Sequence, residues 1–292
     1  MDDELKQALM WPMNYDLHTH SNASDGEYSP SELVKYAKDR KVEVIALTDH
    51  DTCMGVDEAI ATGKEIGVHV VTGIELSSLW HSNQIHIVGL CIDHKNACLQ
   101  EFINKQTEKR VQRAIEIGEK LEKCGFKNAY EKAKLLCAEG GTITRGTYAT
   151  LLYNEGAEMT QDRCFAKYLA KGGKAYVKPK WDGIDCAIEA IKQAGGLAVL
   201  AHPKCYDMNN KWLRKLITDF KKQGGDGIEV SGVMMNQTDR DFLASLSCEY
   251  ELLASCGSDF HRIRNFVDLG FRLTIPEKAK PIWYDSRFRL KV

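Results

Sequence analysis

From Asn14 to Leu90, short apolar runs alternate with amphipathic stretches, the signature of repeated βα units. The runs Tyr15–Leu17, Val44–Leu47, His69–Val71 and Ile85–Leu90 predict strands, with helices over Pro30–Lys38 and Val56–Ile66 between them. Ser29-Pro30-Ser31-Glu32 marks a helix start, because the N–H that Pro30 lacks would have no partner at the first helical position. The alternation stops at Ala97. Over Gln100–Cys124, Phe102, Ile103, Val111, Ala114, Ile115, Gly118 and Leu121 recur at helical spacing, with lysines and arginines on the other face. Further helical segments follow over Ala129–Ala138, Gly146–Tyr153 and Arg163–Ala170. After Pro179 the rhythm returns. Helices Ile184–Ala194, Lys211–Lys222 and Asp239–Tyr250 alternate with strands Gly196–Leu200, Gly227–Val230 and Leu252–Ser255. The pattern predicts an α/β barrel built from residues 1–96 and 181–292, interrupted by a mainly helical insertion over 97–180.

The length, 292 residues, suits one barrel carrying an insertion. With 43% hydrophobic and 27% charged residues, the chain belongs with neither membrane nor disordered proteins. No stretch approaches the roughly 18 consecutive apolar residues of a membrane span, and Met1-Asp2-Asp3-Glu4 lacks the positive-then-apolar order of a secretory signal. The expected compartment is therefore the cytoplasm, with no membrane partner. Ten cysteines without a CxxC pair are expected to be reduced thiols, mostly buried. The net charge of −2 divides unevenly: residues 97–180 hold sixteen Lys/Arg against ten Asp/Glu, a balance of +6, leaving the remainder at −8. A basic insertion beside an acidic barrel suits a polyanionic substrate held near bound cations.

The ionisable residues fall in register with the strands. Asp16-Leu17-His18-Thr19-His20 follows the first, Thr48-Asp49-His50-Asp51 the second, Gly73-Ile74-Glu75 the third, Ala201-His202-Pro203 a later one and Gly257-Ser258-Asp259-Phe260-His261 the last. In a barrel of parallel strands these ends share one face, where active sites are built. Mixed imidazole and carboxylate groups there suit borderline divalent ions such as Mn²⁺, Zn²⁺ or Fe²⁺. His-x-His on an extended segment puts both rings on one side, so His18 and His20 can share an ion, and Asp259-x-His261 repeats the spacing. His86, at the start of an apolar strand, is a further ligand candidate because its setting otherwise demands a polar partner. Asp49 and Asp51 are expected to orient the His50 region without touching an ion. His69, His81 and His94 read as surface residues, and Asp25 in Ser24-Asp25-Gly26 is adequately explained as a turn former.

Taken in order, Asp-Leu-His18-Thr-His20-Ser, Thr-Asp-His50-Asp, Gly-Ile-Glu75, His86-Ile-Val-Gly, Ala-His202-Pro and Gly-Ser-Asp259-Phe-His261 resemble the metal-binding motifs of the PHP (polymerase and histidinol phosphatase) superfamily, over nearly the whole chain. The resemblance implies a distorted (β/α)7 barrel with up to three divalent ions, Mn²⁺ foremost. His18, His20, Glu75 and Asp259 would hold one, Glu75 would bridge to a second held by His86 and His202, and Asp25, His50 and His261 would hold a third. It thereby promotes Asp25 from turn former to ligand.

Ile143-Thr144-Arg145, Tyr168-Leu169-Ala170-Lys171-Gly172 and Ala175-Tyr176-Val177-Lys178-Pro179 look like the insertion of one branch of that superfamily. This branch contains nucleoside 3′,5′-bisphosphate phosphatases and 5′-to-3′ exoribonucleases. It implies a phosphate-gripping Arg145, a short RNA or nucleotide as substrate, a metal-activated hydroxide as nucleophile and His202 or His261 as proton donor. No obligatory protein partner is implied. The branch typically has Arg-x-His where this chain has Arg145-Gly146-Thr147, which puts that histidine's role in doubt. A histidinol-phosphate-type or other small-molecule monophosphatase and a catalytically idle module are the competing expectations. The basic insertion argues against the first and the complete ligand motifs against the second. Tyr148, Tyr153, Tyr176 and Trp181 are the candidates for stacking on bases.

Overall fold

The computed structural model describes residues 13–137, 141–232, 235–263 and 268–290. The acidic start Met1–Glu4 and the last residue of the helix expected over Ala129–Ala138 lie outside the described residues. Seven strands, β1 (Tyr15–Thr19), β2 (Val44–Leu47), β3 (His69–Trp80), β4 (Asn83–Leu90), β5 (Leu197–Leu200), β6 (Gly227–Gly232) and β7 (Leu253–Gly257), form one sheet in sequence order. The sheet curls until its edges meet: the His20 amide donates to the Phe260 carbonyl, and the Asp259 amide to that of His18, both at 2.9 Å. The result is a nearly closed barrel.

Helix α1 (Pro30–Asp39) starts where expected, with Ser29 and Glu32 forming a reciprocal capping box and Pro30 in the first turn. Helix α2 (Val56–Ile66) ends at Gly67 in the left-handed conformation, φ 78°. The insertion holds α3 (Ala97–Lys123), α4 (Ala129–Lys134), α5 (Arg145–Asn154) and α6 (Gln161–Cys164), which runs into a π-helical turn over Phe165–Leu169. Helices α7 (Ile184–Gln193), α8 (Asn210–Lys222) and α9 (Gln237–Glu249) return to the barrel.

The strands are not all parallel, which corrects one expectation. β4 runs antiparallel to both β3 and β5, while the other neighbours are parallel. The physical reason is the connection. β3 extends to Trp80, beyond the Val71 expected, and only His81 and Ser82 separate it from β4, whereas a parallel return needs a crossover of a dozen or more residues.

Apolar side chains sort into three clusters. Val44, Ala46, Val71, Val88, Leu90, Leu197 and Val199 fill the barrel, and Tyr15 stacked on Trp283 (centroids 4.0 Å apart) closes the end at which most strands begin. A second cluster lies between sheet and helices, and includes Leu99 and Ile103 from the start of α3. A third belongs to the insertion, where Ala114, Ile117 and Leu121, further along α3, pack with Tyr148, Leu152 and Leu169. All ten cysteines are free, as expected. Only Cys53, Cys164 and Cys256 are buried, however, and Cys98, Cys124, Cys186, Cys205 and Cys248 are exposed, so the expectation of mostly buried thiols is corrected. Four of these five lie in helices and Cys124 in a turn, all facing solvent. Among the described residues no helix is long and apolar enough to cross a membrane.

Candidate metal centre and its basic wall

Strand parity carries the site. On β3, Val71 points into the barrel, and Glu75, four residues on, shares its face. On β4, Leu90 and Val88 face inward and His86 continues the series in the opposite chain direction. The interior therefore changes from apolar to ligating along the barrel axis. Glu75 lies mid-strand, so it does not reach the site from a strand C-terminus as the parallel pattern implied, whereas His86 lies near a strand's start as expected. Irregular register between Asp16 and Thr19 lets β1 present both His18 and His20. Gly257 allows β7 to lie against β1, since a Cβ there would sit 2.2 Å from that of His18. Asp51, His202 and Asp259 all have positive φ, and such strain clusters at functional sites.

All nine expected ligands converge. Glu75 Oε1 lies 2.9 Å from His86 Nδ1, 3.0 Å from His202 Nε2 and 3.3 Å from His18 Nε2. Its Oε2 lies 2.7 Å from His50 Nδ1 and 3.5 Å from His20 Nε2. Asp259 Oδ1 is 3.1 Å from His20 Nε2 and 3.5 Å from His18 Nε2, while Asp25 Oδ1 is 3.2 Å from His261 Nε2 and 3.9 Å from His50 Nε2. Three overlapping groups keep their donor atoms within 4.8 Å of one another: His18, His20, Glu75 and Asp259; His20, Asp25, His50 and His261; and His50, Glu75 and His86. Within them His18 Nε2, both nitrogens of His20, His50 Nδ1, Asp25 Oδ1 and Glu75 Oε2 are buried and, although close to oppositely charged neighbours, make no well-aligned hydrogen bond. Buried polar atoms are rarely left so, and donors orphaned together around common points fit divalent cations.

The carboxylates lean on the imidazoles. Burial opposes the charge on Glu75, but His50, His86 and His18 outweigh it and hold its pKa well below the usual range. Asp25 is likewise held low by His261 and His50 against the cost of burial. His261, despite burial, is pushed up to about 9 by Asp25 and Asp259. His20, buried and facing His261, is pushed down to about 3.

A further ring of carboxylates holds these groups in place. Glu229 on β6 contacts His18 Nδ1 at 2.7 Å and accepts the His202 amide at 2.5 Å. Sequence reasoning missed it, although a Glu between Ile228 and Val230 in a buried strand was the available signal. Asp16 accepts the Ser258 amide and hydroxyl and the Gly270 amide, and burial raises its pKa to about 6. Asp49 accepts the Ser21 amide and hydroxyl and the Ser24 hydroxyl, fixing the loop that carries Asp25. Asp51 accepts the Ser77 amide and ion-pairs with Arg110 Nε at 2.5 Å. His81 is exposed, His69 is half-buried, and His94 pairs with Asp57 away from the centre.

A cavity of about 470 Å³ opens above the centre, lined on the barrel side by Asp25, His50, His86, His202, Asp259 and His261. Arg110, Arg113 and Arg145 line its other side. Arg145, first residue of α5, lies over the Phe165 ring at 5.0 Å and reaches Gln84 Oε1 at 3.4 Å. Arg113 donates through Nε to the Val177 carbonyl, and its Nη2 is buried without a hydrogen-bond partner. Burial, with Arg145 and Arg110 nearby, pushes its pKa down to about 9. Two expected stacking aromatics are unavailable. Tyr148 is fully buried with its hydroxyl on the Ala114 carbonyl, and Trp181 is buried with Arg110 and Arg113 against its ring. Tyr153 remains exposed and Tyr176 half-buried.

A barrel that gathers histidines and carboxylates at one end, under a wall of arginines, defines a metal-dependent hydrolase of phosphorylated substrates. The PHP domain model matches residues 16–176, and the chain belongs to the PHP domain family. It is similar to a 5′-3′ exoribonuclease of Haemophilus influenzae, 45% identical across 92% of this chain and 97% of the relative. It is also similar to a 3′,5′-nucleoside bisphosphate phosphatase of Chromobacterium violaceum, 36% identical across 95% and 98%. A solved structure from Chromobacterium violaceum, described as an amidohydrolase with bound sulfate and no metal, superposes with a TM-score of 0.89 at 36% identity, covering 94% of this chain and 96% of that one.

Proposed function

We propose that this chain is a metal-dependent phosphoesterase of nucleotides, removing 5′-terminal nucleotides from short RNA and the 3′-phosphate from nucleoside 3′,5′-bisphosphates. The observation that carries the proposal is a cavity lined on one side by six of the nine clustered imidazole and carboxylate groups, Asp25, His50, His86, His202, Asp259 and His261, and on the other by Arg110, Arg113 and Arg145. The names of the relatives support the substrate class.

His18, His20, Glu75 and Asp259 would hold one divalent ion, Glu75, His86 and His202 a second, and Asp25, His50 and His261 a third, with Mn²⁺ the resident metal we favour. When bound, such ions lower the pKa of water and neutralise charge on the phosphoryl oxygens. Arg145 grips the phosphate through its planar fork, and its stacking on Phe165 holds that fork at the cavity wall. Arg113 adds a donor already stripped of water. Glu229 holds His18 by Nδ1, which leaves Nε2 facing the centre. The leaving oxygen takes its proton from His202 or His261, which both line the cavity. The insertion, residues 97–180, acts as the substrate-binding wall of the barrel.

The test compares Mn²⁺-supplemented wild type with Arg145→Ala on adenosine 3′,5′-bisphosphate, a 5′-phosphorylated RNA pentamer and histidinol phosphate. Release of phosphate or mononucleotide from the first two, lost in the variant, is the expected result. Turnover of histidinol phosphate alone, or of none despite bound metal, would overturn the assignment.

A further inference from the structure

Asp25 is held from the insertion side. Thr144, the N-cap of α5, donates its hydroxyl to Asp25 Oδ2 at 2.5 Å and accepts the Gly146 and Thr147 amides at 2.9 and 3.2 Å. A hydroxyl has one proton and two lone pairs, so its bonding capacity is fully used. Thr147 completes the cap, accepting the Thr144 amide at 3.1 Å through its own hydroxyl. Thr147 stands where the branch this chain resembles has a histidine, and here it points into the cap. With Oδ2 tied down, Asp25 turns its buried Oδ1 toward His261 and His50. Gly146 makes the approach sterically feasible, since a Cβ at that position would lie 2.6 Å from Asp25 Oδ2. A backbone bond from the Thr142 amide to the Ala23 carbonyl, 2.9 Å, joins the same two segments.

Resting on the reading that Asp25, His50 and His261 hold an ion, we propose that Thr144 is a positioning residue: its hydroxyl selects which Asp25 oxygen meets that ion. Arg145 lies between Thr144 and Gly146 in the chain, so the phosphate clamp and the latch on the Asp25 loop belong to one turn of α5. The ion-binding loop cannot take up its geometry independently of the wall that faces the substrate.

The test titrates Mn²⁺ alone into the metal-free full chain by calorimetry, for wild type, Asp25→Asn, Thr144→Ser, Thr144→Asp and Gly146→Ala. Thr144→Asp retains an N-cap acceptor but has no proton to donate and sets a second carboxylate against Asp25. Gly146→Ala leaves Thr144 intact and crowds Asp25 instead, so the two variants disturb the latch independently. Asp25→Asn, Thr144→Asp and Gly146→Ala are expected to weaken the same Mn²⁺ binding event by about 10- to 100-fold, the usual effect of losing a group that orients a ligand. Thr144→Ser should match wild type. Wild-type Mn²⁺ binding by both Thr144→Asp and Gly146→Ala, with the event lost in Asp25→Asn, would overturn the positioning role and leave the ion site standing. Wild-type binding by Asp25→Asn as well would overturn both.

Discussion

The floor of the cavity and its wall are both charged and both largely buried, yet they are built in opposite ways. On the floor, every carboxylate facing the centre meets an imidazole, and Glu75 alone touches five of them. In the wall, Arg110 is neutralised by Asp51, but among the described residues neither Arg113 nor Arg145 is paired with a carboxylate. A floor whose charges cancel internally can exchange protons for cations without disrupting the fold. A wall with uncancelled, desolvated guanidinium groups needs an anion from outside. The difference supports the proposed division of labour, in which the barrel holds the ions and the insertion supplies the charge that holds phosphate.

The most damaging way to break the comparison is on the floor. Glu75→Gln removes the carboxylate common to all the proposed ion positions except that of Asp25. It should abolish Mn²⁺ binding at those positions, leaving at most the ion at Asp25, and lower kcat by about 10³-fold or more, as metal analysis and phosphate release would show. Glu229→Gln acts one step removed. It should weaken Mn²⁺ binding by about 10- to 100-fold while wild-type turnover returns at saturating metal.

The mildest effect concerns the floor after chelation. In chelator-treated protein the folded-state pKa of His261, about 9, exceeds the ordinary 6.5, so protonation favours the fold. The stability contributed by this group is complete below pH 6.5 and is lost as pH rises toward 9. Urea unfolding of chelated wild type should therefore show a midpoint falling over that window, and His261→Gln should flatten the fall. An unchanged pH dependence in the variant would count against the Asp25–His261 pairing.

Much of this floor was legible because strands impose a period of two and the ligands follow it. Asp16-Leu17-His18-Thr19-His20 and Gly257-Ser258-Asp259-Phe260-His261 declare themselves as paired motifs. What stayed hidden has physical causes. The β3–β4 hairpin turns on His81 and Ser82, which carry none of the usual Asn-Gly or Gly-Gly signal, so the antiparallel strand went unread. Glu229 is a lone acid in a short strand, and only the fold brings it against His18. Nothing in the sequence singled out the Thr144 side chain, since the proton of a helix-capping hydroxyl can go anywhere until the tertiary structure places Asp25 beside it. Tyr148 and Trp181 were misread because composition cannot show that the insertion has a core of its own, or that two arginines pack on Trp181.

The most direct test of the division between floor and wall is a Mn²⁺ titration of metal-free Arg145→Ala, paired with its turnover of adenosine 3′,5′-bisphosphate. Ion binding should keep wild-type affinity and stoichiometry while kcat/KM falls by about 10²- to 10³-fold. Loss of ion binding together with activity, or full activity without Arg145, would contradict the account.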